Sequence, residues 1–205
     1  MEHTPQEGKF TPPVLILVTG LPCSGKTTVA KRLAADLSLP LVTKDDIKER
    51  LFDSLGWSDR EWSRKMGNAT YAVLYYYIEL LLISGVALVA ESNFSPNYAT
   101  QELLAIQVRI PYQALVVECI ARAEVLEYRW RQRAENALRH PGHRDAEALD
   151  EFFRLVREHT GADGYARLGA PEIGAQVVTV DSSYPQDPGY ADALQAGLKI
   201  LAASR

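Results

Sequence analysis

The chain has 205 residues, 47% of them hydrophobic and 23% charged, which suits one domain with a sizeable core. Its 22 basic and 26 acidic residues leave a net charge of −4, which disfavours non-specific grip on a nucleic-acid backbone. No stretch of about 18 apolar residues occurs, so no helix is expected to span a membrane.

The opening segment MEHTPQEGKFTPP lacks the basic start and apolar core of a signal peptide, and residues 1–13 read as a short mobile tail. VLILVT (14–19) is apolar on both faces, as a buried parallel strand must be. Lys26 to Leu37 then places Val29, Ala30, Leu33, Ala34 and Leu37 on one helical face. PLVT (40–43) reads as a short second strand, followed by a helix through DDIKERLF. Ser58 and Glu61 have the spacing of a capping box, which opens a long helix from Asp59 to about Ile83.

VALVAE (86–91) is a third strand, and Ser95-Pro96 gives a cap followed by a first-turn proline. YQALVVECI is a fourth strand. A charged helix runs from Ala123 to Leu138, and the polar break RHPGHR separates it from another at Asp145 to His159. Gly161 to Ala175 reads mostly as loop, AQVVTVD (175–181) as a fifth strand, and Asp187-Pro188 as the cap of a closing helix. Strands alternating with helices predict an α/β fold, a three-layer sandwich on a five-stranded parallel sheet. Cys23 and Cys119 are too few for a disulfide framework, so a reducing cytoplasmic setting is the default.

The segment GLPCSGKTT, residues Gly20 to Thr28, fits the phosphate-loop spacing G-x-x-x-x-G-K-[ST] and lies between a strand and a helix. Gly20, Leu21, Pro22, Cys23, Ser24 and Gly25 would wrap backbone N–H groups around phosphate oxygens at the positive end of the helix. Lys26 would reach the β- and γ-phosphates of ATP, and the Thr27 hydroxyl would ligate Mg²⁺, with Thr28 beside it. Cys23 reads as a small filler, or more sharply as a thiol made acidic by the helix end.

With LVTKDDIKERLF some 20 residues on, the chain resembles small P-loop kinases of the polynucleotide-kinase, zeta-toxin and chloramphenicol-phosphotransferase group, often described as AAA-type ATP-binding proteins. The resemblance implies that Asp45 is the general base on an acceptor hydroxyl; its other reading is helix capping. Lys44 and Lys48 would hold an acidic or phosphorylated acceptor, although each taken alone reads as a solvated charge. Related kinases carry an aspartate where this chain has Glu91, so Glu91 would serve either Mg²⁺ or the acceptor, with Ser92 and Asn93 lining the same crevice.

EYRWRQRAENALRHPGHRD matches the arginine-bearing lid, about residues 126–145. Arg129 and Arg133 share one helix face toward the γ-phosphate, while Arg131 points elsewhere. The resemblance gives His140 and His143 a substrate contact, and the helices over about 45–83 the acceptor side, with Trp57 at the acceptor. VDSSYP matches an adenine contact made largely by backbone. The leading expectation is an ATP-dependent phosphotransferase acting on a hydroxyl of a small-molecule acceptor. Alternatives are a nucleotide or polynucleotide end kinase, and a nucleotide switch without transfer chemistry. A toxin blocked by a protein partner such as an antitoxin would share the chemistry.

Overall fold

The computed structural model describes residues 11–204. Residues 1–10 of the expected tail lie outside them, whereas Pro13 is buried and its carbonyl accepts a hydrogen bond from the Gln113 N–H, so the packed domain begins there. Strand β1 (Val14–Gly20) is buried at every position. It lies between β3 (Leu88–Glu91) and β4 (Gln113–Arg122), all parallel. The short β2 (Leu41–Thr43) adds to β3 and β6 (Gln176–Asp181) adds to β4, giving the five-stranded parallel order β2-β3-β1-β4-β6. The loop expected over 161–175 contains one more element, the two-residue β5 (Tyr165–Ala166), antiparallel to the last residues of β4. Two residues flanked by glycines carry too little periodicity to be read as a strand.

Alternation along β1 divides the core. Leu15 and Leu17 face α3 (Arg60–Ile83) and α4 (Pro96–Arg109), while Val14, Ile16 and Val18 face α1 (Lys26–Leu37) and α7 (Tyr190–Ala203). A third cluster joins Leu21 of the phosphate loop to Leu126 and Trp130 of α5 (Ala123–Ala134) and Phe152 and Val156 of α6 (Leu149–Glu158). The Trp130 and Phe152 rings stack with centroids 4.0 Å apart. This small core fixes the lid to the loop it covers.

Several helix ends differ from expectation, each because a polar group has other work. The cap of α3 is Asp59, whose carboxylate accepts from the Trp62 N–H at 2.8 Å, so the Ser58–Glu61 box does not form. α5 stops at Ala134 rather than Leu138. The expected helix from Asp145 starts as a 3-10 turn over Ala146–Ala148, because Asp145 is turned toward the lid. Pro188 stays outside α7, since its carbonyl accepts from Asp181 N–H; Gly189 (φ 92°) precedes the helix, where a Cβ would fall 2.1 Å from the Thr179 oxygen. Ser95 and Pro96 do open α4.

Replacing Asp59 by Ala should cost about 1 kcal/mol and lower Tm by about 2–4 °C, as befits a lost cap in a chain of this size. Ser58→Ala should leave Tm within error. Thermal unfolding of both variants checks the reassignment, and the reverse ranking would restore the Ser58 box.

Candidate active site

The phosphate loop leaves β1 at Gly20, where φ is 145° and a Cβ would lie 2.3 Å from the Cys119 carbonyl oxygen. It enters α1 through Gly25 at φ 78°, a left-handed conformation that favours glycine. No side chain caps α1, so its first-turn N–H groups point at the loop's hollow. The buried Ser24 hydroxyl has no partner there. A cradle that no Cβ could enter, lined by unsatisfied donors, fits polyphosphate. Lys26 donates to the Leu21 carbonyl at 3.3 Å and sits 3.8 Å from Glu91. The Thr27 hydroxyl donates to the other Glu91 oxygen at 3.2 Å. These paired hard oxygens at the end of β3 suit Mg²⁺.

Two cavities meet at this point. One, of about 450 Å³, is lined by the loop from Cys23 to Thr28 and by Arg129, Ser182 and Asp187. The other, of about 150 Å³, is lined by Pro22, Lys44, Lys48, Arg60, Glu91, Ser92, Asn93 and His143, among others. Lys26, Asp45 and Arg133 line both.

Asp45 stands in the first turn of α2 (Lys44–Leu55), but Thr43 is the cap, accepting from the Asp46 N–H at 3.1 Å. Capping therefore does not occupy the Asp45 carboxylate. Instead it contacts Arg139 at 3.0 Å and Arg133 at 3.6 Å. Arg129 bonds the Cys23 carbonyl at 3.2 Å and both oxygens of Ser182, which ties the lid to the loop. Arg131 stacks on Phe153, away from the site.

Two expected contacts are elsewhere. Trp57 is exposed and lines neither cavity, since the 56–59 turn carries it away from the acceptor side. His140 stacks on Phe52, accepts from the Gly142 N–H, and faces a separate hollow formed by the lid segment. His143 does line the smaller cavity.

The family model described as AAA domain matches residues 15–159. The chain belongs to the AAA-domain family. A cytidylate kinase from Pyrobaculum neutrophilum is 30% identical over 145 residues, covering 71% of this chain and 68% of that one. A solved protein from Chloroflexus aurantiacus j-10-fl, described provisionally as a kinase, is 33% identical with TM-score 0.77, covering 93% of this chain and 98% of its own. An unliganded sugar kinase from Janibacter sp. HTCC2649 shares the fold at TM-score 0.54 and 15% identity, over 94% of this chain and 96% of its own. The phosphate loop together with the first two similarities identifies the chain as a P-loop kinase, and the sugar kinase bears on the fold alone.

In this AAA-domain protein charge is balanced inside the site. Burial opposes ionisation of Asp45, yet Lys44, Arg139 and Arg133 together hold its carboxyl far below the usual range. Burial raises Glu91 despite Lys26, and the second carboxylate, Asp45, adds to the rise. Burial also pushes the Cys23 thiol up against the pull of Arg133 and Lys26, which corrects the reading of an acidic thiol in favour of a filler. His143 is pushed down to about 3, by burial first and then by Arg139 and Lys48. It is therefore neutral at pH 7, and its Nε2 lies 2.8 Å from Glu49.

Sequence reasoning missed Arg139, Asp145 and Glu49. Arg139 joins all three acids of the lid contact, Asp45, Glu49 and Asp145. Its position at the start of RHPGHR was the one available signal. Asp145 is buried, and its carboxylate also accepts from Arg133 at 2.8 Å.

The depressed His143 value has a consequence for stability. The unfolded chain takes up this proton near pH 6.5 while the folded one resists it until about 3, so the contribution is complete above pH 6.5 and lost on acidification. Between pH 7 and 5 the native protein should lose up to about 2 kcal/mol more stability than His143→Gln. Urea unfolding at both pH values measures the difference. Equal losses would mean that His143 titrates normally.

Proposed function

We propose that the protein transfers the γ-phosphoryl group of MgATP to a hydroxyl of a small-molecule acceptor. The supporting observation is that the loop cavity and the smaller cavity share Lys26, Asp45 and Arg133. A nucleotide switch needs the first cavity alone. Transfer needs a second compartment that opens on the terminal phosphate, with a proton acceptor and fixed cations at the junction.

In this reading the backbone from Gly20 to Gly25 and Lys26 hold the phosphates, while Arg129 anchors the lid over the loop. Thr27 and Glu91 would hold Mg²⁺, which would supply positive charge to offset that of the phosphates. Asp45 accepts a hydrogen bond from the acceptor hydroxyl and takes its proton. The acceptor oxygen forms a bond to the γ-phosphorus as the bond to the β–γ bridging oxygen breaks, and ADP leaves. A carboxylate with so low a pKa is a weak base. That is tolerable here, because phosphoryl transfer is catalysed mainly by positioning and charge stabilisation, with the proton lost late. Arg133 and Lys26 stabilise charge on the transferring group.

A second reading, transfer to a nucleoside monophosphate, is favoured by the cytidylate kinase relative. The acceptor cavity of about 150 Å³ is small for a whole nucleotide and favours the first.

With γ-labelled MgATP and a fractionated metabolite extract, the native protein should label an acceptor. Asp45→Asn should lower that rate by about 100-fold or more while changing ATP affinity only slightly. An alkali-stable phosphoester product identifies a hydroxyl acceptor, and a phosphoanhydride product would shift the assignment to a nucleotide. Full transfer by Asp45→Asn would remove Asp45 from the proton-accepting role.

A further inference from the structure

The acceptor cavity contains a cation that the protein does not neutralise. Lys48 lies four residues after Lys44, so both project from one face of α2. The Lys48 side chain is buried, at 6% exposure. Its ammonium donates to the Ser63 hydroxyl at 3.0 Å, and that hydroxyl donates onward to the His143 carbonyl. Among the described residues no carboxylate lies within ion-pair distance of it. Gly67 of α3 lies against it, where an added Cβ would sit 3.7 Å from Nζ, at ordinary contact distance.

Burying an ammonium against one neutral hydroxyl and the Phe52 ring, whose centroid is 5.2 Å away, is costly, and an ammonium has three N–H donors to place. The cost registers in Lys48 itself: burial, then the neighbouring Lys44, lowers its pKa to about 8 against the pull of Asp45. Two more groups of the same cavity have hydrogen-bonding capacity to spare. The Arg60 Nε has no hydrogen-bond partner, although Nη2 of the same guanidinium pairs with Glu151 at 3.0 Å, and the buried Ser92 hydroxyl neighbours only the Tyr71 hydroxyl. The acids nearby are already engaged: Asp45 with Arg139 and Arg133, Asp145 with the same two arginines, and Glu91 with Lys26 and Thr27. What remains unmatched is positive charge and hydrogen-bond donors.

We propose that this cavity binds an oxyanion group of the acceptor, a carboxylate or a phosphate monoester, through Lys48 with Lys44, Arg60 and the Ser92 hydroxyl. The inference rests on the phosphotransferase reading for the word acceptor, and narrows that acceptor to an acidic hydroxy compound. The anionic group seats on Lys48, and the hydroxyl of the same molecule reaches Asp45 at the junction with the nucleotide cavity. The anion also supplies the charge that Lys48 lacks, so selectivity over neutral polyols follows from desolvation as well as attraction.

The test uses full-length protein loaded with Mg²⁺ and a β,γ-imido analogue of ATP, which fills the phosphate loop. Glycerol 3-phosphate, glycerate and glycerol, which share a three-carbon hydroxylated frame and differ in charge, are added at equal concentration and ionic strength while Tm is followed. At least one of the two anions should raise Tm, with an affinity roughly tenfold or more above that of glycerol. Which of them acts tells phosphate from carboxylate. Lys48→Met should abolish the rise while retaining the shift caused by the nucleotide analogue. Should Lys48→Met fail to fold, Arg60→Gln must diminish the anion response. Equal shifts with glycerol, no shift with either anion, or an undiminished response in the variants would overturn the proposal. Anion binding without labelled product would instead count against phosphoryl transfer, and transfer to a neutral acceptor would sink this inference alone.

Discussion

Opposite charges packed between the sheet edge and the lid are the constraint on which this site depends. Asp145 is central. Its buried carboxylate accepts from the Nε of both Arg133 and Arg139, and its carbonyl accepts from Trp130 Nε1. Removing one partner from such a group leaves an uncompensated buried charge, typically a loss of about 3–5 kcal/mol. The two arginines thus cost little entropy when a phosphoryl group arrives, because the protein has already oriented them. The stacked Trp130–Phe152 pair and Leu21 extend that order into the phosphate loop.

In the proposed reaction the same arrangement would reconcile two demands on Asp45. A carboxylate that accepts a proton there must stay ionised beside a polyphosphate that repels it. Lys44, Arg139 and Arg133 keep it ionised, at the expense of basicity. An acceptor hydroxyl need only displace one arginine contact to reach it. Glu91 shows the contrasting case. It is raised by burial and held by a lysine and a hydroxyl, which suits a group whose ionisation a divalent cation would complete.

How much of this was legible in the sequence follows from range. The phosphate loop is contiguous, and its glycines, lysine and threonine declare their geometry locally; β1 and α1 were readable for the same reason. The five parallel strands came from buried apolar runs, which hold strands to the interior whatever surrounds them, whereas their order in the sheet depends on long-range pairing that no local run declares. Arg139 bonds Asp45 across 94 residues and Glu49 across 90, and no local pattern announces such pairs. Lys48 was left between an acceptor contact and a solvated charge because helix periodicity gives a face and does not say what covers it. Here α3 covers it, through Ser63 and Gly67. Trp57 was misplaced for the converse reason: an aromatic beside arginines suggests contact, but the turn that ends α2 points it outward.

A switch and a transferase can share a phosphate loop, so the difference must lie in what faces the terminal phosphate. In a switch that face meets a mobile segment or a partner protein. Here it meets a small, partly open chamber whose walls include helix residues held by packing: Lys44 and Lys48 on α2, Arg60 on α3, and Arg133 on α5. Fixed walls serve recognition of one compact molecule, since their ordering cost has been met on folding. Unsatisfied donors in such a chamber favour a ligand that brings acceptor oxygens, and the contact with the loop cavity would set a hydroxyl of the same ligand beside the phosphoryl donor in the proposed reaction. Folding would thereby concentrate the second substrate where the first can react with it, which is the main thing an enzyme must do for phosphoryl transfer.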